Sequence, residues 1–170
     1  MVKENTASAY HHDLLDELVD VIKQTTKPLY QVLRVDGDAY YGYGHKHKSG
    51  DKWPNFPLHP TEMTAILHAD IKSTLHLLRE IHPYATPHLL VALCSFVRQN
   101  GGVERYVGCR LCDDIKRSAS LLEIIEDIVP HKYEDDVIMP CLERRREWEI
   151  YTILRGEQEK IKFSNYDLDF

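Results

Sequence analysis

The chain has 170 residues, of which 43% are hydrophobic and 28% are charged, as is typical of a folded globular domain with its own core. The net charge of −6 argues against a protein that coats nucleic acid, because such proteins are usually basic overall. No apolar run approaches the ~20 residues that a membrane-spanning helix needs.

The N-terminal stretch MVKENTASAY contains no apolar segment of the kind found in signal peptides. Without secretion, the four cysteines are expected to stay reduced. We therefore predict an intracellular protein, cytoplasmic or nuclear, with no membrane partner. We expect one domain over residues 1–170, with flexible termini at 1–8 and 163–170.

The first elements are a helix and a hairpin. Apolar residues recur at helical spacing from 10 to 25, with acidic residues on the opposite face, and Pro28 ends this helix. The pair Asp36-Gly37 then separates two β-rich runs. A type I′ turn needs positive φ at both central positions, so this pair predicts a β-hairpin over 29–44.

The rest of the chain is predicted to be helical. A connecting loop rich in proline and aromatic residues spans 44–60. Helical periodicity follows from Thr61 to Ile81, from Thr86 to Gln99, from Leu111 to Val129 and from Pro140 to Gly156. The prediction is a mainly α fold, with about five helices packed as an orthogonal or irregular bundle and one hairpin inserted after the first helix.

A metal site is one hypothesis for function. Cys109 and Cys112 have the CxxC spacing at which two thiolates can share a zinc ion. His45 and His47 could complete the set, since alternate side chains of an extended segment share a face. Zinc is thus the candidate cofactor, and a pair of buried core cysteines or a redox pair is the alternative.

A second metal hypothesis rests on carboxylates. The ExxD and ExxE spacings at Glu17 and Asp20, and at Glu123 and Glu126 with Asp127, resemble motifs of the all-α nucleoside triphosphate pyrophosphatases. That resemblance implies a Mg²⁺-dependent phosphohydrolase. Here the two motifs stand in the reverse order, and both lie opposite the apolar stripe of their helix, as solvated acidic faces do.

The stretch LVALCSFVRQNGGVERYVGCRLCDDI, residues 90–115, is similar to the middle of the AT-rich interaction DNA-binding domain. Its helix-stop glycines, Gly101 and Gly102, and several apolar positions share that register. Cys112 departs from the pattern, because an aromatic residue is expected there. The resemblance implies nucleic-acid binding as one alternative.

The most compact surface signal is a basic-aromatic cluster in and after the hairpin. Its members are Tyr41, Tyr43, Lys46, Lys48, Lys52, Trp53 and Phe56. Lysines and aromatic rings suit a nucleic-acid surface, and aromatic anchors suit a protein interface. We predict a non-enzymatic binding or regulatory protein that contacts a partner protein here, with nucleic-acid binding and metal-dependent activity as the alternatives.

Overall fold

The computed structural model describes the backbone of residues 4–166 and the side chains of residues 14–160. The predicted mainly α fold is confirmed, with 63% helix and one small antiparallel sheet after the first helix. The described residues form seven α-helices and two small sheets. The helices are α1 (Glu4–Thr25), α2 (Pro60–Ile81), α3 (Pro87–Gln99), α4 (Val103–Val107), α5 (Arg110–Lys116), α6 (Leu121–Ile128) and α7 (Pro140–Tyr166).

The predicted hairpin is present and gains a third strand. Strand β1 (Leu29–Val35) pairs antiparallel with β2 (Asp38–Gly42), which pairs with β3 (His45–Lys46). The turn has φ of 51° at Asp36 and 87° at Gly37, as a type I′ turn requires. A second hairpin, β4 (Tyr133–Glu134) and β5 (Val137–Ile138), follows a 3-10 helix at Val129–Lys132.

Helix α3 is the centre of the fold. Thr86 caps its first turn by accepting a hydrogen bond from the Leu89 amide, and nearly every side chain from His88 to Val97 is buried. It packs against α1, α2, α4 and α7. The helical body is therefore built around one apolar helix, and the sheet lies to its side, in contact with α2.

The helix predicted over 111–129 is two helices. Helix α5 ends at Lys116 and is followed by Ser118, whose φ of 57° is left-handed, and Ser120 starts α6 with a capping box to Glu123. Apolar periodicity continues across this break, so it did not reveal the change of direction. The last helix, predicted from Pro140 to Gly156, continues to Tyr166 as α7.

The ends of the chain lie partly outside the described residues, at 1–3 and 167–170, and the flexibility of 1–8 and 163–170 stays a prediction. No helix in the described part of the chain is long and apolar enough to cross a membrane.

Candidate functional site

The hairpin leaves the helical body at a junction formed by Thr26, Gln99 and Arg145. The Arg145 Nη1 group donates hydrogen bonds to Thr26 Oγ1 (3.3 Å) and Gln99 Oε1 (2.9 Å). Its Nε and Nη2 groups donate to the hydroxyl and carbonyl oxygens of Ser95. Arg145 is 2% exposed, so one buried guanidinium ties the start of the sheet to the ends of α3 and α7.

A second buried charge lies beside this guanidinium. Glu149 is wholly buried, and its carboxylate lies 2.8 Å from Arg146 Nη2 and 3.8 Å from Arg145 Nε. Burial raises the pKa of Glu149 to about 7, although both arginines oppose the shift. Arg146 also lies over the Phe96 ring at 4.9 Å. The floor of the junction is thus a compact ionic cluster inside the helical body.

On the sheet side, a chain of polar side-chain contacts joins β3 to α2 and α3. His45 Nδ1 lies 2.9 Å from Asp70 Oδ1, and Arg98 Nη1 lies 3.3 Å from the other oxygen of Asp70. Arg98 also donates to the carbonyl of Tyr43 at 3.3 Å. These contacts fix the sheet against the helical body next to the junction.

A cleft of about 490 Å³ opens beside the junction, at the carboxyl end of α3. Its floor is apolar, and its rim carries hydrogen-bonding and charged side chains. The lining residues are Phe96, Val97, Gln99, Asn100, Gly101, Arg105, Tyr106, Cys109, Arg110, Leu111, Asp127 and His131. Gln99 belongs to both the junction and the cleft. A concave site of this kind suits an extended polar ligand.

Asp127 stands at one edge of the cleft. Burial, together with the neighbouring Asp114, raises its pKa, while Arg117 holds the pKa of Asp114 below its usual range. Arg110 Nε lies 3.1 Å from Asp127 and 3.4 Å from Asp114. The bridging arginine keeps these two carboxyl groups close together.

The aromatic members of the basic-aromatic cluster do meet. Tyr41 is buried and packs against Phe56 and Trp53, and Trp53 stacks on His47 with ring centroids 3.6 Å apart. Lys46 is paired with Asp38 at 2.6 Å. Lys48 and Lys52 are exposed, and Tyr43 is half-buried against the core.

The four predicted zinc ligands are not brought together. His45 contacts Asp70, His47 stacks on Trp53, and the sulfur of the buried Cys112 lies 4.0 Å from His82 Nε2. Cys109 is half-buried at the start of α5. Within residues 14–160, no group of three or more His, Cys, Asp or Glu side chains could hold a metal ion.

The carboxylates of the magnesium hypothesis are also engaged separately. Glu17 forms two hydrogen bonds with Arg155, and Glu123 binds Arg117 and caps α6 through Ser120. Asp127 lies in the cleft, paired with Arg110. These acids stabilise helices and helix contacts.

The arrangement of a mainly helical body with one small antiparallel sheet after the first helix is a lysozyme-like fold. The chain is similar to the muramidase domain of SpmX from Asticaccaulis excentricus, with a TM-score of 0.64, 19% identity and coverage of 81% of this chain and 95% of that one. It is also similar to the endolysin of Escherichia coli O157:H7 phage FAHEc1, with a TM-score of 0.61, 16% identity and coverage of 81% and 90%. The sequence matches no family model and no curated protein.

These likenesses correct the functional prediction. A non-enzymatic regulator that binds a partner protein through the hairpin is wrong, because the fold is that of a muramidase domain and an endolysin. Zinc binding and nucleic-acid binding, including the expectation from the AT-rich interaction domain, are likewise not supported. That expectation rested on helix-stop glycines and on apolar core positions. In this fold the glycines follow the end of α3, and the apolar residues pack in the core around it.

Sequence reasoning missed the junction. The run Arg144, Arg145 and Arg146, flanked by Glu143, Glu147 and Glu149, offered a signal. At helical spacing, Arg145 and Glu149 share a face with apolar residues, and buried charges of this kind need partners. Thr26 and Gln99 could not be recognised from the sequence, because each is a single polar residue at or next to the end of a helix and belongs to no motif.

Proposed function

We propose that this chain acts on the glycan strands of bacterial peptidoglycan and binds them across the junction and the cleft. The cleft carries this proposal: it adjoins the junction through Gln99, in a fold shared with a muramidase domain and an endolysin. A sugar strand presents hydroxyl and amide groups. On the cleft rim, the amides of Gln99 and Asn100 can donate to such groups or accept from them, and the guanidinium of Arg105 can donate to them.

The test is co-sedimentation of the purified protein with purified peptidoglycan sacculi. Arg105 is exposed on the rim, and Arg105→Gln should weaken binding about two- to fivefold, as expected for one exposed charged contact. The matched control is Arg144→Gln, since Arg144 is an exposed arginine on α7 outside the cleft lining. Wild-type protein that stays in the supernatant at every sacculus concentration would contradict the proposal.

Hydrolysis of the bound strand is a second candidate, favoured by the muramidase and endolysin folds. Glycoside hydrolases use two carboxyl groups at the scissile bond, and one of them is a general acid whose pKa is raised by burial. Glu149 has such a pKa, about 7, but its side chain is wholly buried beside Arg145. Hydrolysis through Glu149 would therefore require Arg145 to move.

Release of reducing ends from sacculi separates the two candidates. Hydrolysis through Glu149 predicts release by the wild-type protein and loss of release in Glu149→Gln, with binding retained. Equal release by both proteins would exclude Glu149 as the acid, and no release by either would leave binding without cleavage.

A further inference from the structure

A second groove lies on the sheet, away from the cleft lining. It is open, has a volume of about 570 Å³, and is lined by Val32, Arg34, Trp53, Pro54 and Phe56. Val32 and Arg34 stand two residues apart on β1, so their side chains share one face of the sheet. Residues 26 and 32 are six positions apart in the chain, which puts the groove within about 20 Å of the junction.

The indole ring of Trp53 is held in place by a stacked histidine. Its ring stacks on His47 at 3.6 Å with an interplanar angle of 15°, and the His47 Nδ1 atom lies 3.4 Å from the Tyr41 hydroxyl. Trp53 is nevertheless 49% exposed. One face of the indole is therefore covered by protein while much of the side chain faces solvent, fixed before any ligand arrives.

Arg34 supplies charge to the same groove. Its side chain is exposed, and within residues 14–160 its guanidinium makes no hydrogen bond or ion pair. Most other arginines of the helical body and the α5–α6 region are paired with carboxylates. An unpaired guanidinium beside an exposed indole suits a ligand that has both an apolar ring face and an anionic substituent.

We propose that this groove binds a muramic acid unit of the strand, with the sugar face on Trp53 and the carboxylate of its side chain on Arg34. The inference rests on the proposed function and identifies the part of the strand that the sheet recognises. The carboxylate has two sources: the free lactyl group of muramic acid, which lies next to the ring, or the peptide attached to that group, which carries its carboxylates farther from the ring.

Trp53 is itself the probe. The chain has two tryptophans, so Trp148→Phe leaves Trp53 as the single indole emitter. Its fluorescence is titrated with three ligands: chitobiose, the N-acetylglucosamine–N-acetylmuramic acid disaccharide, and the same disaccharide carrying its peptide. We expect the two muramic ligands to bind more tightly than chitobiose. If the bare disaccharide binds most tightly, the lactyl carboxylate is the anion that contacts Arg34. If the disaccharide with its peptide binds most tightly, that anion belongs to the peptide.

Arg34→Gln should weaken binding of the muramic ligands about two- to fivefold and leave chitobiose unchanged, because an exposed ion pair contributes little more than this. Trp53→Ala, measured on sacculi, should weaken binding about tenfold through loss of the aromatic contact. The controls are Arg144→Gln and Tyr84→Ala, the latter removing an aromatic side chain that is 99% exposed elsewhere.

The two proposals fail in different ways. Wild-type binding to sacculi that is unchanged in Trp53→Ala and Arg34→Gln would overturn the groove and leave the proposed function standing. An absence of wild-type binding to sacculi would contradict the proposed function. Equal affinity of Trp53 for chitobiose and for both muramic ligands would overturn the role of Arg34.

Discussion

At the scale of single residues, the molecule is organised around charges that are out of water. Arg145 and Glu149 are almost completely buried at the junction, where Ser95, Thr26, Gln99 and Arg146 supply hydrogen bonds. Burying charges costs free energy that hydrogen bonds and ion pairs only partly recover. Stability alone therefore does not account for these buried charges. Arg145 contacts Gln99, which also lines the cleft, so the buried charges lie directly behind the proposed site.

The titration of Glu149 gives a prediction for stability. Its pKa is about 7 in the folded chain against 4.5 for an ordinary glutamate, so the folded chain holds this proton more tightly than the unfolded chain does. The resulting stabilisation is complete below pH 4.5 and is lost as the pH rises to about 7. The free energy of unfolding should lose about 3 kcal/mol from this group across that window.

Urea unfolding of wild type and Glu149→Gln between pH 4.5 and 7.5 measures this loss. His82 and His131 have pKa values lowered by burial and act in the opposite direction, but they are common to both proteins and cancel in the difference. Wild type should lose stability relative to the variant as the pH rises. If the free energies of unfolding of the two proteins change in parallel with pH, the raised pKa of Glu149 is contradicted.

At the scale of elements, the sequence predicted most helices and the hairpin, because their signals are local. Asp36-Gly37 fixed the turn, and Thr86-Pro87 fixed the start of α3. The break between α5 and α6 was missed because apolar spacing continues through it while Ser118 adopts a left-handed backbone. Serine is not a residue that marks such a turn in a sequence.

Ser118 therefore offers a test of how α5 ends. The Ser118 amide donates to Ile115 and the Ala119 amide donates to Asp114, a Schellman arrangement with Ser118 at the left-handed position. Ser118→Gly should stabilise the protein by about 1 kcal/mol, because glycine adopts positive φ without a Cβ penalty.

Thermal or urea unfolding measures this gain. The matched control is Ser49→Gly, an exposed serine outside the positive-φ residues, where glycine should only add freedom to the unfolded chain and cost about 0.5 kcal/mol. Equal losses at both positions would show that Ser118 bears no backbone strain.

At the scale of the whole molecule, the body depends on α3. Leu93 on this helix is wholly buried, whereas Leu122 on α6 is 65% exposed. Leu93→Ala should lower the free energy of unfolding by about 3 kcal/mol, since it leaves a cavity in the hydrophobic core. Leu122→Ala should change it by less than about 0.5 kcal/mol, and comparable losses at the two sites would contradict the central position of α3.

The site could be predicted from the sequence only in part. Tyr41, Trp53 and Phe56 were identified as a surface cluster and do come together, and the class of ligand that they contact stays a proposal. The junction joins residues from three distant parts of the chain, at positions 26, 95–99 and 145–149. No single stretch contains it, and only the packing of α3 against α7 and the start of β1 assembles it.

The central claim is that a peptidoglycan glycan strand lies across the junction, and hydrogen–deuterium exchange with and without muramic-acid-containing oligosaccharides tests it most directly. We predict slower amide exchange on binding at residues 26–34 and 99–105, where β1 and the cleft rim would contact the strand. Unchanged exchange in these segments, or protection confined to the groove between α1, α2 and α3 lined by Leu15, Leu75 and Leu90, would contradict the claim.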